Sequence, residues 1–213
     1  MKEIKTLIAI PCLDAVPTPF LRSALRLRRV GEPGIYLTSS SLVYDARNIL
    51  ADKAVKEGYD RVLWLDSDMA FEPDLMERLS ADMDEGREFV SGLYFSRKPP
   101  VIPVVYAAVG QDKETHEAAA IPRFDYPEDA IFEVAAAGFG ACMMTTDLLR
   151  RVKDEFGLPF SPILGFGEDL SFCMRATQLG AKLYCDSRVK LGHVASTFVT
   201  EETWRLSKKQ MRA

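Results

Sequence analysis

The stretch Arg61-Val62-Leu63-Trp64-Leu65-Asp66-Ser67-Asp68-Met69 runs from an apolar strand straight into two carboxylates one residue apart. Val62 to Leu65 is apolar at every position, the pattern of a strand buried on both faces of a parallel sheet. Ligands of open α/β sheets collect in the crevice beyond the carboxyl ends of such strands, where Asp66 and Asp68 stand. Alternate strand residues point the same way, so both carboxylates can address one divalent cation that keeps other positions open for phosphate. Asp-x-Asp is equally a turn or helix cap after a core strand, and this stretch alone leaves both readings open.

Outward from it, the first half alternates strand and helix. Thr6 to Ile10 reads as a strand closed by Pro11-Cys12-Leu13-Asp14, at the level where a nucleotide would lie. Thr18 and Pro19 suit an N-cap and first helical position, with Phe20, Leu21, Ala24 and Leu25 as an apolar stripe opposite Arg22, Arg26 and Arg29. A strand at Ile35 to Thr38 runs into Ser39-Ser40-Ser41 and a helix carrying Ala46, Ile49, Leu50 and Ala54 on one face. A helix after Glu72-Pro73-Asp74 turns Leu75, Met76, Leu79 and Met83 inward. This alternation predicts an α/β fold with parallel pairing and right-handed crossovers.

In the second half, strands are expected at Phe89 to Phe95, Val104 to Val109, Ile131 to Ala137, Ala141 to Thr145 and Lys182 to Cys185. Helices are expected at Asp147 to Phe156, Glu168 to Leu179 and Thr200 to Met211. Gly110 to Asp129 shows no period and reads as a long functional or partly disordered loop with an exposed His116, while Gly157 to Gly167 reads as a flexible flap. The glycines of Gly138-Phe139-Gly140 suit close approach of a sugar or of another backbone.

A chain of 213 residues can bury a full core and reads as one domain. With 27 basic against 31 acidic residues it has no overall electrostatic footprint for nucleic acid or anionic lipid. The basic clusters Arg22 to Arg29 and Arg205 to Arg212 read as solvated helix faces, a membrane-surface role being the lesser alternative. Cys12, Cys142, Cys173 and Cys185 form no Cys-x-x-Cys pair and read as buried thiols of a reducing cytoplasm. Leu7 to Leu13, broken by Pro11, is too short for the apolar core of a signal peptide, and nothing reaches spanning length. The expectation is therefore a cytoplasmic protein with no transmembrane segment and no nucleic-acid partner.

Six landmarks together resemble the GT-A fold glycosyltransferases, particularly short family-2-like members. They are Ile10-Pro11 ending the first strand, Ala46-Arg47-Asn48 opening a helix, Leu65-Asp66-Ser67-Asp68, Ala137-Gly138-Phe139-Gly140-Ala141, Gly167-Glu168-Asp169-Leu170 and Gly192-His193. The resemblance implies a mixed, mostly parallel central sheet flanked by helices. It divides 1–213 into a nucleotide-sugar-binding half, about 1–105, and an acceptor-binding half, about 106–213. It also implies a metal-dependent transfer of sugar from a nucleotide-sugar donor to an acceptor hydroxyl.

By that resemblance, Asp68 is the main metal ligand, Asp66 binds ribose or the metal through water, and His193 completes the coordination. Mn²⁺ is favoured over Mg²⁺ because it accepts imidazole as well as oxygen. Pro11, Ser39, Arg47 and Ser67 join the nucleotide-sugar site, Arg47 because its fork pairs with phosphate oxygens; the plain alternative is a surface ion pair with Asp45 or a neighbouring acid. Asp169 is the base that takes the hydroxyl proton in a single inverting displacement, with Glu168 orienting acceptor or base, an assignment that can be reversed. Acids at a helix start are also ordinary capping residues. Tyr94 and Arg97, with Gly138, Phe139 and Gly140, line the sugar or acceptor.

One departure stands out. Relatives place an acid near the end of the second strand to hold the nucleoside, whereas Thr38-Ser39-Ser40-Ser41 stands here. A phosphohydrolase of the haloacid-dehalogenase type also ends a hydrophobic strand in Asp-x-Asp, but near its N-terminus. A nucleotidyltransferase would need a Gly-rich basic phosphate loop, and a non-catalytic nucleotide or sugar-binding module is the remaining alternative.

Overall fold

The chain opens as the alternation predicts, with β1 (Thr6–Cys12), α1 (Thr18–Arg26), β2 (Gly34–Ser39), α2 (Val43–Lys56), β3 (Arg61–Leu65), a two-residue β4 (Met69–Ala70), α3 (Leu75–Asp84) and β5 (Phe89–Leu93). There follow β6 (Val105–Gln111), β7 (Ala118–Pro122), β8 (Ile131–Val134), β9 (Ala136–Ala137), β10 (Ala141–Thr145), α4 (Thr146–Phe156), α5 (Glu168–Gln178), β11 (Leu183–Lys190) and β12 (Gly192–His193). The computed structural model describes residues 4–111, 118–163 and 165–195. His116 and the helix expected over Thr200 to Met211 lie outside the described residues.

Seven strands form one sheet in the order β2-β1-β3-β10-β5-β11-β8. β1 pairs parallel with both β2 and β3, and β11 pairs parallel with β5; β10 and β8 run against their neighbours. The result is a mixed, mostly parallel sheet flanked by helices, the fold class the sequence leads to. β3 lies inside it, between β1 and β10, and a core packs on each of its faces. Val62 and Trp64 enter one core with Leu50 and Leu149, and Leu63 and Leu65 enter the other with Phe20, Met76 and Leu79. That is why no polar side chain interrupts Val62 to Leu65. No described helix is long and apolar enough to cross a membrane.

Four sequence expectations change. Thr18 is not the cap of α1: Pro17 holds that position with no side-chain hydrogen bond, and Leu21 and Leu25 of the expected apolar stripe face solvent. Ile49 of α2 is likewise exposed. The aperiodic stretch after Gly110 contains β7, which pairs antiparallel with β6, so its small side chains concealed a hairpin. The segment Gly157 to Gly167 is anchored rather than free: Phe160 is fully buried, its amide donates to Asn48 Oδ1 at 3.1 Å, and its ring stacks on Phe172.

The Gly138-Phe139-Gly140 stretch also turns inward. Phe139 is 0% exposed, in ring contact with Trp64, Phe89, Phe160 and Phe172, and so offers no face to an acceptor. Tyr94 is buried too, and its hydroxyl accepts the Gly140 amide at 3.3 Å. The glycines make room for that ring: a Cβ on Gly138 would stand 2.0 Å from the Tyr94 hydroxyl, and one on Gly140 would meet the Tyr94 ring at 2.9 Å. Tyr94, Gly138, Phe139 and Gly140 are thus packing residues, a correction to their expected place against a sugar. Phe139→Ala should lower stability by about 3–5 kcal/mol, the usual range for deleting a buried phenyl ring. Urea unfolding followed by tryptophan fluorescence measures it; a loss below about 1 kcal/mol would contradict this core position.

Candidate active site

The two carboxylates stand where β3 leaves the sheet. The Asp66 amide donates to the Gly140 carbonyl at 2.9 Å, and the Met69 amide closes the turn onto Asp66 O at 3.1 Å. The chain then enters β4, which pairs antiparallel with β12 so that His193 lies opposite Met69. The Val194 amide donates to Asp68 O at 2.8 Å. This short ladder brings His193 Nε2 to 3.3 Å from Asp68 Oδ2 across 125 residues of chain.

The other ring nitrogen decides what that approach means. His193 Nδ1 lies 3.0 Å from the Phe95 carbonyl, which can only accept, so Nδ1 carries a proton and donates. In the neutral ring, Nε2 then turns its lone pair toward a carboxylate oxygen. In the doubly protonated ring the same approach is an ion pair to Asp68, so the contact by itself is open to a proton or to a cation, with the ring oriented by the carbonyl behind it. Asp66 does not join this contact: its Oδ1 accepts from Arg47 Nη2 at 2.6 Å. Among the described residues no group of three His, Cys, Asp or Glu side chains converges on one point. Asp68 and His193 are the two side chains here that could each give a lone pair to a divalent cation, which would need its other ligands from outside the described residues.

Arg47 is the most buried charge of the site, 1% exposed on α2. Besides Asp66, its Nε donates to Glu168 Oε1 at 3.2 Å, across 121 residues. Its guanidinium carbon lies 5.2 Å from the Phe139 ring centre and 5.6 Å from that of Trp64, whose π faces receive the charge. Nη1 has no hydrogen-bond partner among the described residues. Burial works against its charge, but Asp66, Glu168 and Asp169 outweigh it and hold Arg47 protonated. Asp45 is not its partner: Nη2 and Nε are held by carboxylates, while Nη1 stays unpaired and the side chain borders the cleft. Arg97 is the freer cation: it is half exposed and its Nη1 donates to Asp68 Oδ2 at 2.7 Å.

These residues wall a cleft of about 440 Å³ lined by Pro11, Ser40, Ser41, Arg47, Asp66, Ser67, Asp68, Arg97 and Glu168, among others. Ser39 is not among them, because its hydroxyl donates to the Leu13 carbonyl at 2.8 Å and holds β2 to the loop after β1. Ser40 and Ser41, missed as individual residues, take that wall; the run of three hydroxyls in the sequence was the signal. Asp169 lies beside Glu168 at the start of α5, outside this lining and partly buried. Its Oδ1 accepts the Leu170 amide at 2.7 Å. Burial first, and the Glu168 charge next, push its carboxyl up to about 6 against the opposing pull of that amide and of Arg47. Asp66 is also raised, chiefly by burial, with Asp68 adding to it and Arg47 opposing. A carboxylate poised near neutrality beside a polar cleft suits proton abstraction.

No family model matches the sequence, and no curated protein matches it either. Solved structures do. The crystal structure of A197 from STIV is similar at a TM-score of 0.63 with 22% identity, covering 91% of this chain and 87% of that one. The crystal structure of GalNAc-T7 with UDP, GalNAc and Mn²⁺ is similar at a TM-score of 0.62 with 13% identity, covering 90% of this chain and 44% of that one. This chain therefore has a glycosyltransferase-like fold and spans less than half the length of that enzyme chain.

Removing the guanidinium at position 47 would leave Asp66 and Glu168 buried against each other without a counter-charge. Arg47→Met should cost about 3–5 kcal/mol in chemical unfolding at pH 7. The folded-state Asp66 carboxyl would then titrate still further above its unfolded value. Such a group favours the folded state most when protonated, so the deficit should shrink on acidification toward pH 5 and widen toward pH 8. A deficit independent of pH would argue against this ion bridge.

Proposed function

We propose that this chain is a metal-dependent glycosyltransferase that moves a sugar from a nucleotide-sugar donor to an acceptor hydroxyl with inversion. The observation that carries the reading is the approach of His193 Nε2 to Asp68 Oδ2 at the end of β3, with Nδ1 committed to the Phe95 carbonyl. A divalent cation bound there, Mn²⁺ in preference to Mg²⁺, would supply charge neutralisation for the leaving diphosphate. The likeness to a structure that contains UDP, GalNAc and Mn²⁺ supports the same class.

The chain's own residues divide the rest of the work. Residues 1–105 form the donor half, in which Pro11, Ser40 and Ser41 wall the nucleoside side of the cleft and Arg97 swings from Asp68 to meet the diphosphate. Arg47 acts from behind, fixing Asp66 and Glu168. Residues 106 onward form the acceptor half. There Asp169 takes the hydroxyl proton as that oxygen bonds to the anomeric carbon, and the bond from that carbon to the diphosphate breaks with its electron pair leaving on phosphate. Glu168, held by Arg47, orients the acceptor. A phosphohydrolase of the haloacid-dehalogenase type would instead use Asp66 as the nucleophile and carry it near the N-terminus, whereas here β1, α1, β2 and α2 precede it.

A thermal-shift screen of UDP-, GDP- and CMP-sugars with Mn²⁺ or with EDTA tests the donor half: one nucleotide class should raise the melting temperature with Mn²⁺ and lose that effect with EDTA. If no nucleotide stabilises the chain in a metal-dependent way, the proposal fails. Asp169→Asn should retain nucleotide binding and lose transfer by at least about a hundred-fold, the usual weight of a general base. Because protonated Asp169 cannot accept the acceptor proton, transfer by the unmodified chain should fall as pH drops through about 6. Turnover by Asp169→Asn equal to the parent would remove Asp169 from the base role; binding without turnover in both would leave a non-catalytic module.

A further inference from the structure

The apolar side of α1 is only partly covered. Phe20 is buried in the core, while Leu21 is 47% and Leu25 78% exposed. At 100° per residue, Leu21, Leu25, Arg22 and Arg26 share one continuous outward arc, the leucines on one flank and the arginines on the other. Arg22 and Arg26 have no hydrogen-bond or ion-pair partner among the described residues, whereas the nearby Arg28 and Arg78 are held by Glu77 and Asp74. The two free arginines and Lys190 border a hollow of about 280 Å³ that contains one carboxylate, Glu72. On the same sheet face, the edge strand β2 exposes Ile35 and Leu37, which lie opposite Ile8 and Ile10 of β1. A chain of net charge −4 has thus gathered unpaired cations and bare aliphatic side chains on one side.

From this surface we infer that α1 seats the protein on an anionic lipid bilayer. Leucines on such a helix enter the boundary between headgroups and acyl chains, while the arginines beside them reach the headgroup phosphates. The hollow between Arg22, Arg26 and Lys190 receives one such phosphate. Charge separates this occupant from a second copy of the chain: a two-fold interface through this patch would set Arg22 and Arg26 against the same arginines of the partner. The seat also has a functional position. Leu13, exposed at the rim of the candidate active-site cleft, lies on the loop that leads into α1, so the cleft would open beside the bilayer.

The test uses the full chain and sedimentation with vesicles, either of phosphatidylcholine alone or with about one-third phosphatidylglycerol, an anionic content in the range that draws basic patches to membranes. Binding is expected to the anionic vesicles only and should weaken at high salt. Replacing two surface arginines in Arg22→Gln/Arg26→Gln should weaken it about thirty-fold, and Leu21→Ser/Leu25→Ser at least about ten-fold. All four side chains are exposed, so both variants should keep the parent melting temperature. Absent or equal binding to the two vesicle types would overturn the inference, as would undiminished binding by the arginine variant. A dimer seen by light scattering, and lost in the leucine variant, would assign the patch to a second copy instead.

Discussion

The site depends on one buried cation. Arg47 reaches from α2 to Asp66 at the end of β3 and to Glu168 at the start of α5, joining the two halves of the chain from a buried position behind the cleft. Isolated, such a charge would be too costly to bury; with two carboxylates and two aromatic faces around it, it becomes a strut. Its consequence is a division of labour between the aspartates. Asp66 is held by the buried Arg47, and Asp68, two residues later, faces His193, the exposed Arg97 and the cleft.

Backbone pairing does the complementary task. Two residues of β4 and two of β12 align His193 with Met69, and the Phe95 carbonyl then orients the ring. Three segments far apart in sequence meet there without a long element among them, so the geometry is set by a few hydrogen bonds and is open to ligand-driven adjustment. Arg97 is the exposed member of that meeting point, paired with Asp68 at 2.7 Å.

The helix that starts after the first strand carries a different lesson. Its stripe of Phe20, Leu21, Ala24 and Leu25 reads as a core face, yet one flank of that stripe is bare. Periodicity reports that a helix has an apolar side, and a sheet edge determines how much of that side is covered. Here β2 is the edge strand, and among the described residues Leu21 and Leu25 of that stripe stay exposed.

The sequence by itself determined the α/β class, the strand that ends in Asp66 and Asp68, and the set of polar residues worth watching. Those follow from local causes: an all-apolar run needs two covered faces, and a charged pair cannot follow it into the core. What the tertiary structure alone decided was which partner each side chain meets. Tyr94 and Phe139 looked like a sugar platform and became core, because the space left by Gly138 and Gly140 is filled by the Tyr94 ring. Ser39 looked like a nucleoside contact and became a tie to Leu13. Arg47, read from the sequence as a phosphate ligand, is also a strut, because Glu168 arrives 121 residues later to take part of its fork while Nη1 stays unpaired at the cleft. Periodicity carries burial, which is a property of one segment; it does not carry pairing, which is a property of two.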